Sequence, residues 1–420
     1  MARQIKSVRE RGLVAAIDLG GSKAACVIAQ LTPVPGGGFE ADVIGVGRHG
    51  GVCRDKRPDV EASLRAAVEA AERMAGERIK RVHVAAAGRS LGCRRIAVDL
   101  DISGGVVTGD DVEECLDQAG TAAAPAGSTA LHAFTVRYSL DAERVDNPVG
   151  LAGGVLAAEI LGVSVRDSYA ENVESLLGRC GLELEGLVAA PCAAGEAVLI
   201  EDEKELGVIL VDIGARSTDF ALYERGALIA CGGVPVDSDH VTRDIAQIFG
   251  SPIAKAERIK TLYGSALSGA GDEHRLIDFP QLGDESEITR HSRAELAQVI
   301  APRFEEILEL TLNALPHSGS ARRAIRRAVL TGGGSLLVGA RETAEKVIGV
   351  KTRLGRPVAL SGAPEMATAP QFSVAIGALQ LAARERSEAK GRSARNRVGE
   401  YPRAASGVIG QVGAWLRANF

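Results

Sequence analysis

The sequence is poor in aromatic residues and lacks the patterns that mark metal sites, disulfide frameworks and membrane spans. Aromatic residues make up 3% of the 420 residues, which predicts a core of alanine, valine, leucine and isoleucine. The seven cysteines and seven histidines are scattered, with no C-x-x-C pair, which favours reduced, mostly buried thiols over a zinc site. No apolar run approaches the roughly 18 residues of a membrane span. The short run LVAAI after the basic N-terminus argues against a secretory signal.

The remaining composition is that of a soluble globular protein with a large core. Hydrophobic residues account for 46% of the chain and charged residues for 25%. The length predicts two to four structural units. The net charge is −5, and no nucleic-acid partner is expected.

Two similar segments lie 194 residues apart, as counted from Asp18 to Asp212. AAIDLGGSKAACVIAQ (15–30) and ILVDIGARSTDFALYE (209–224) each consist of an apolar strand, a D-[LI]-G turn and a second apolar strand. This repeat predicts two related domains, each with a strand–turn–strand hairpin. Small residues in such turns let backbone N–H groups approach phosphate, and a carboxylate at the strand end can orient waters around Mg²⁺.

A third loop, VLTGGGSLLVGA (329–340), places three glycines between a predicted strand and a predicted helix that reaches about Val347. Glycines at this position allow a flat or anionic ligand to approach the backbone. The same glycines also fit an ordinary tight turn between a strand and a helix, and the sequence leaves both interpretations open.

The last fourteen residues, GVIGQVGAWLRANF, have the pattern of an amphipathic helix. Its apolar positions fall on one helical stripe: Val408, Ile409, Val412, Trp415, Leu416 and Phe420. The preceding segment, 384–406, holds seven basic and three acidic residues, a balance of +4, and is predicted to be a disordered linker. The pattern predicts a helix that lies in an anionic membrane interface, although a helix docked on the protein's own core fits the periodicity equally well.

The three loops together resemble the phosphate-1, phosphate-2 and adenosine motifs of the actin/hexokinase/heat-shock-chaperone ATPase superfamily. Within it, the chain resembles the FtsA family of bacterial cell-division proteins. The family-specific parts are NPVGL (147–151) and the W-L-R-x-x-F terminus, and segments 207–228, 241–264 and 299–310 are also similar. The resemblance implies an actin-like α/β fold in which two related domains flank a nucleotide cleft, with an inserted α+β domain 1C and a C-terminal amphipathic helix.

The implied domain boundaries follow from the same resemblance. They are 1–85 and 166–200 for domain 1A, 86–165 for domain 1C, 201–232 and 303–383 for domain 2A, 233–302 for domain 2B, 384–406 for the linker and 407–420 for the membrane-targeting helix.

The resemblance also implies ATP and Mg²⁺ as ligands. Asp212 would face the attacking water as the catalytic residue, and Asp18 would hold Mg²⁺ through water. The implied nucleotide-binding residues are Asp18, Gly20, Gly21, Ser22, Lys23, Gly214, Arg216, Ser217, Thr218, Glu257, Lys260, Gly332, Gly333, Gly334 and Ser335. Lys23 also fits a solvated turn lysine, and Glu257 and Lys260 a surface ion pair.

The second loop departs from the usual D-I-G-G-G-T pattern, because Ala215 and Arg216 stand where two glycines are expected. Arg216 could clamp a triphosphate, misplace the loop and slow hydrolysis, or point to solvent. Any ATPase activity is therefore expected to be slow or regulatory.

Partners also follow from the resemblance. Arg293 and Arg303, on a helix predicted over Ser292–Ala314, would bind the acidic, apolar C-terminal peptide of FtsZ, although exposed arginines are often simply solvated. The chain would polymerise, anchor FtsZ filaments to anionic lipids on the cytoplasmic face of the inner membrane at the septum, and recruit later division proteins. The alternatives are a small-molecule kinase of the same fold, a PilM-like pilus assembly protein and an MreB-like filament, which lacks domain 1C.

Overall fold

The computed structural model describes residues 12–34, 39–50, 60–102, 105–316 and 319–395. Within these ranges the strands form two five-stranded sheets, one four-stranded sheet and one separate hairpin. No helix in the same ranges is both long enough and apolar enough to cross a membrane.

The first half is built on a mixed sheet of order β3-β2-β1-β4-β9. Its strands are β1 (Leu13–Leu19), β2 (Lys23–Pro33), β3 (Phe39–Gly50), β4 (Arg81–Ala86) and β9 (Glu183–Ala189). The pairs β1–β2 and β2–β3 are antiparallel, whereas β4 is parallel to both β1 and β9. Helices α1 (Val60–Ala75) and α3 (Asp167–Arg179) cover one face, and α4 (Ala190–Val198) and α11 (Ser373–Arg395) cover the other. Both faces are buried, which explains the nearly continuous apolar strands.

The second half repeats this sheet with the same order and directions. Its strands are β10 (Val208–Ile213), β11 (Thr218–Glu224), β12 (Ala227–Val234), β15 (Arg327–Thr331) and β16 (Thr352–Leu354), in the order β12-β11-β10-β15-β16. Asp18 and Asp212 are each the penultimate residue of the equivalent strands β1 and β10. The predictions of two related halves and of a hairpin at each repeat are therefore confirmed.

An inserted α+β domain lies between β4 and α3. It consists of β5 (Leu91–Asp101), α2 (Gly109–Ala122), β6 (Ser128–Leu140), β7 (Glu143–Val145) and β8 (Val155–Arg166), with the sheet order β5-β8-β6-β7. Thr108 caps α2 by accepting a hydrogen bond from the backbone of Asp111, whose carboxylate accepts one in return. Leu116 and Ile160 are among the residues of a separate core between α2 and this sheet.

The other elements pack around the second sheet. They are α5 (Glu201–Leu206), α6 (Ser238–Ile248), α7 (Ile253–Tyr263), the hairpin of β13 (Leu276–Pro280) and β14 (Ile288–Ser292), α8 (Arg293–Asn313), α9 (Gly319–Ala324) and α10 (Ala340–Ile348). Ser292 begins α8 with a capping box to Glu295, so the helix predicted over 292–314 is confirmed with its capping residues. Phe279, Phe304 and Ile245 lie in the core that these elements share with the sheet.

The predicted disordered linker is wrong at its N-terminal end, because α11 continues to Arg395. The Arg386 side chain donates to the Glu185 carboxylate at 2.7 and 2.8 Å and to the Leu13 carbonyl oxygen, and Arg384 pairs with Glu196. Alanine, arginine, glutamate and lysine are also good helix formers, so low apolar content did not prevent a helix here. Residues 396–420, which include the predicted membrane helix, lie outside the described residues.

Candidate functional site

The turns of the two related hairpins meet between the two halves of the chain. A Cβ atom on Gly21 would overlap Cγ of Arg216 and lie 2.9 Å from the carbonyl carbon of Ala215. The backbone of the first turn therefore lies directly against the second, and only glycine fits at this contact. The two departures from the usual glycine pattern form the other side of that contact, with Arg216 exposed at its edge.

Three carboxylates and one lysine lie behind these turns. The Lys23 ammonium is 2.9 Å from Oδ2 of Asp18, and both side chains are largely buried. Burial, and then the carboxylates of Asp219 and Asp18, raise the pKa of Asp212 to about 8, with Lys23 acting in the opposite direction. Burial also raises the pKa of Asp219 to about 6. The group as a whole has more negative charge than Lys23 can neutralise.

Asp219 is a site residue that the sequence analysis missed. It lies directly opposite Asp212 in the β10–β11 ladder. Its Oδ1 accepts a hydrogen bond from the Gly88 backbone at 2.7 Å, and its Oδ2 accepts one from the Ser217 hydroxyl at 2.9 Å. The sequence feature that could have identified Asp219 is an aspartate near the start of a mostly apolar strand, β11. Its contact with Gly88 connects the second half to the chain that enters the inserted domain.

The third loop packs against the second hairpin. Gly332 has φ +79°, and a Cβ atom there would overlap Oδ1 of Asp212 and lie 2.6 Å from the Ile213 carbonyl oxygen. The Ser335 side chain is buried and donates to the Gly332 carbonyl oxygen at 2.8 Å, which closes a short 3₁₀ turn over Gly333–Leu336. A Cβ atom on Gly334 would overlap the Ile213 side chain, whereas the same position of Gly333 faces open space.

The remaining residues of the two hairpin turns differ in exposure. Ser22 is exposed, and Gly20 and Gly214 are partly buried. The Gly214 amide donates to the Ser217 carbonyl oxygen at 3.0 Å, which closes the second turn. Thr218 is fully buried, and its hydroxyl donates to the Val236 carbonyl oxygen at 2.7 Å. Thr218 therefore fastens the turn to the following segment.

Glu257 and Lys260 of α7 form an ion pair at 2.7 Å next to the second turn. Lys260 also donates to the Ser238 carbonyl oxygen and to the Thr242 hydroxyl, each at 2.8 Å, and Thr242 donates to Glu257. The Ser238 amide in turn donates to the Gly214 carbonyl oxygen at 3.0 Å. Ser238 therefore connects the two predicted residues of α7 to the second hairpin turn: its carbonyl oxygen accepts from Lys260, and its amide donates to Gly214.

A separate groove of about 740 Å³ lies between α6 and α8. Its lining combines apolar and charged side chains: Asp244, Ile248, Phe249, His291, Glu295, Gln298, Val299, Pro302, Arg303 and Glu306. Arg303 donates to Asp244 through Nε at 2.6 Å and through Nη2 at 3.2 Å, and also to Glu306.

The structure does not bring the two predicted arginines together. Arg293 is absent from the lining of the groove; it pairs with Asp272 at 3.0 Å and donates to the Tyr263 carbonyl oxygen at 3.0 Å. Asp272 is buried, so Arg293 fixes the start of α8 to the preceding loop. Ten residues along a helix separate the two arginines, and only Arg303 faces the groove.

Family models match two regions of the chain. Residues 209–377 match the model described as cell division protein FtsA, and residues 88–164 match the model of the SHS2 domain inserted in FtsA.

Curated relatives, each named cell division protein FtsA, align over nearly the whole chain. The protein of Agrobacterium fabrum is 33% identical over 433 residues, which cover 99% of this chain and 96% of the relative. The protein of Pseudomonas aeruginosa is 32% identical over 423 residues, with 99% and 100% covered. The protein of Escherichia coli K12 is 30% identical over 428 residues, with 98% and 99% covered.

Among solved structures, the PilM–PilN type IV pilus biogenesis complex contains a chain of similar fold. The TM-score is 0.57 at 17% identity, and the match covers 88% of this chain and 98% of that one. This likeness concerns the fold, and it agrees with the predicted actin-like architecture of two related halves.

Proposed function

Because the chain belongs to the FtsA family of cell division proteins, we propose that it binds ATP between its two halves and attaches FtsZ filaments to the inner membrane. One observation carries the nucleotide part of this proposal. The fold places Asp18 and Asp212 at equivalent positions of two related hairpins whose turns touch at Gly21 and Arg216.

The charge of the cleft fits a nucleotide that carries a divalent cation. Three carboxyl groups face one lysine here, and a bound divalent cation would favour the ionised form of Asp212, whose pKa is raised to about 8 in the fold. Carboxylates are the protein ligands that Mg²⁺ prefers, often through water. Mg²⁺ would neutralise phosphate charge, and Asp18 and Asp212 would orient its waters. Gly20 leaves room for phosphate beside its backbone amide, Gly21 and Gly214 shape the two turns, and Ser22 and Ser217 offer hydroxyls.

The adenosine would lie between the third loop and α7. One side of the third loop is open at Gly333. Gly332 and Gly334 pack the same loop against β10, and the Ser335 hydrogen bond to Gly332 holds the loop in this conformation. Glu257 and Lys260 present a charged pair that ribose hydroxyls can join. Arg216 would reach the phosphates from the edge of the cleft and strengthen triphosphate binding. Hydrolysis would be slow, with Asp212 as the residue that faces the attacking water.

We expect Asp212→Asn to stabilise the nucleotide-free protein at pH 8 while abolishing residual ATP hydrolysis. The pKa of Asp212, about 8 in the fold, lies well above the roughly 3.9 of an unfolded aspartate. The folded state therefore keeps a proton that the unfolded state has lost, and the free energy of unfolding falls as pH rises from about 4 to about 8. Asparagine removes the contribution of Asp212 to this slope, with a gain at pH 8 on the order of a few kcal/mol, while the contribution of Asp219 below about pH 6 remains.

Urea unfolding at several pH values measures this effect, and Asp146→Asn, at an exposed loop aspartate, is the matched control that should leave the slope unchanged. ATP affinity of Asp212→Asn should stay within about tenfold, or ~1.4 kcal/mol, because the carboxylate faces water and developing charge and not the adenine. A variant that hydrolyses ATP at the original rate would contradict the assigned role.

The groove between α6 and α8 is our candidate site for the acidic, apolar C-terminal peptide of FtsZ. Ile248 is 62% exposed at its rim, and Phe249 and Val299 also line it. Covering these side chains would provide the apolar part of the affinity. A peptide carboxylate would compete with Asp244 for the Arg303 guanidinium. Because the groove holds three carboxylates and one arginine, we expect apolar contacts to contribute more than the sequence suggested.

We expect Arg303→Glu to weaken binding of an FtsZ C-terminal peptide by ~1–3 kcal/mol, roughly 5- to 150-fold. Among the described residues that line the groove, the variant removes the one guanidinium and adds a carboxylate to the three already there. Fluorescence anisotropy of a labelled peptide measures the affinity. Arg290→Glu makes the same charge change on β14, outside the groove, and should bind normally. Equal peptide affinity for both variants would show that the peptide does not bind in this groove.

Membrane attachment is assigned to residues 407–420, which lie outside the described residues. The apolar stripe of Val408, Ile409, Val412, Trp415, Leu416 and Phe420 would enter an anionic interface on the cytoplasmic face of the inner membrane. Self-association would present many such helices at once and convert weak single contacts into stable attachment. Filaments held at the septum in this way would then recruit later division proteins.

A further inference from the structure

The thiols of Cys93 and Cys231 meet where the inserted domain contacts the second half. Cys93 lies on β5 and is exposed, whereas Cys231 lies on β12 and is buried. Their Sγ atoms are 3.6 Å apart, although the residues are 138 positions apart in the chain. A third cysteine, Cys192 on α4, lies in the same core cluster as Cys231. The fold alone brings these thiols together, since no sequence motif pairs them.

Other groups hold the same contact in place. We call it the seam, formed by residues 88–95 against residues 229–233. Arg95 donates to the Ile229 carbonyl oxygen through Nε at 3.2 Å and through Nη2 at 3.0 Å. A Cβ atom on Gly233 would lie 2.8 Å from Cα of Gly88. Because these contacts are independent of the thiols, the two sulfurs stay near each other without a covalent bond.

A disulfide at the seam requires the two sulfurs to move closer together. A disulfide bond is about 2.05 Å long, so the sulfurs must approach by roughly 1.5 Å. Hydrogen bonding between the thiols and burial raise the pKa of Cys93, and hydrogen bonding with Cys192 contributes most to the raised pKa of Cys231. Both thiols are therefore protonated at neutral pH. The reaction is slow, and the pair stays reduced until an oxidant persists.

The chemistry balances with a peroxide as the oxidant. Hydrogen peroxide oxidises the thiol of Cys93, the more exposed residue of the two, to a sulfenic acid, which breaks the O–O bond and releases one water. The Cys231 sulfur then attacks that sulfur, the S–S bond forms, and a second water leaves. In total the two thiols lose two electrons and two protons, and the peroxide is reduced to two waters.

We propose that Cys93 and Cys231 are a redox-sensitive pair, which a peroxide converts to a disulfide that fastens the inserted domain to the second half. The proposal does not depend on nucleotide, FtsZ or membrane binding. The oxidised protein should be more stable to heat, because a cross-link that closes a loop of 138 residues restricts the unfolded chain.

Oxidation of the full chain with hydrogen peroxide, followed by alkylation of remaining thiols and mass spectrometry of a non-reduced digest, tests the pairing. The expected result is a linked peptide pair containing Cys93 and Cys231 that dithiothreitol separates, together with a raised Tm. Cys93→Ser and Cys231→Ser should each abolish the link and the Tm rise, whereas Cys192→Ser should keep both.

A denatured sample in guanidinium chloride is the second control, and its yield of this link should fall to that of the other cysteine pairs. If Cys93 and Cys231 are both completely alkylated after prolonged oxidation, both thiols have remained free, and this result would overturn the proposal. A link between Cys192 and Cys231 in its place, or equal yields in folded and denatured protein, would overturn it as well.

Discussion

Replacement of Gly332 by alanine should destabilise the protein by roughly 3–5 kcal/mol, the largest loss expected from any single methyl group in the cleft. Two costs add at this position. The backbone has φ +79°, which alanine adopts poorly, and the new Cβ would overlap the Asp212 carboxylate next to the Ile213 backbone. The clash should displace Asp212 or the third loop, so ATP binding should be lost in any fraction that still folds.

Gly349→Ala is the matched control, because Gly349 has φ +80° at the end of α10 but no atom within 4 Å of the added Cβ. The Gly349→Ala substitution should lower the free energy of unfolding by the backbone strain alone, about 1–2 kcal/mol. The difference between the two variants, measured by urea unfolding, therefore combines the crowding at Asp212 with the larger backbone strain at Gly332, where ψ is 173° and not the 15° of Gly349. If both variants lose the same stability, the third loop does not pack against β10 as described.

Deletion of residues 407–420 should release the protein from anionic vesicles and leave the body folded and able to bind ATP. Six apolar side chains contribute up to ~1.5 kcal/mol or more each when fully buried, but interfacial depth gives only part of this. Ordering the glycine-containing segment costs about 1 kcal/mol or more per residue. One helix therefore binds weakly, with basic residues adding up to ~1 kcal/mol each near anionic lipid. Liposome flotation measures the loss.

Trp415→Glu should behave like the deletion, because it places a charge on the apolar stripe. Gln411→Glu makes the same charge change on the polar face and should still float. Added salt should weaken binding without abolishing it, since the apolar contribution is not screened. If the truncated protein still floats, or if it unfolds, the terminal helix belongs to the core and the membrane proposal fails.

The sequence predicted the repeated parts of the fold better than the contacts between them. Asp18 and Asp212 were found because each follows an apolar strand and precedes a small-residue turn, a pattern that the chain contains twice. Asp219 was missed, because its role depends on strand register opposite Asp212 and on a contact with Gly88, 131 residues away. A local pattern gives no information about such pairings.

Charge and composition were less reliable guides. Low apolar content between residues 384 and 406 predicted disorder, yet Arg386 fixes the N-terminal part of that segment to Glu185 and Leu13. Arg293 and Arg303 were both predicted to bind the FtsZ peptide, with Arg303 as the better match, and distant partners separate their roles. Asp272 holds Arg293 at the start of α8, whereas Asp244 holds Arg303 in the groove.

Flotation of FtsZ with anionic liposomes, in the presence of ATP and the full chain, tests whether the chain attaches FtsZ to the membrane. FtsZ polymers should rise with the vesicles only when the full chain is present. They should stay at the bottom with the chain lacking 407–420, and fewer should rise with Arg303→Glu, although Arg303→Glu should itself float. Recovery of FtsZ on vesicles with either altered protein, at the level seen with the unaltered chain, would contradict the account.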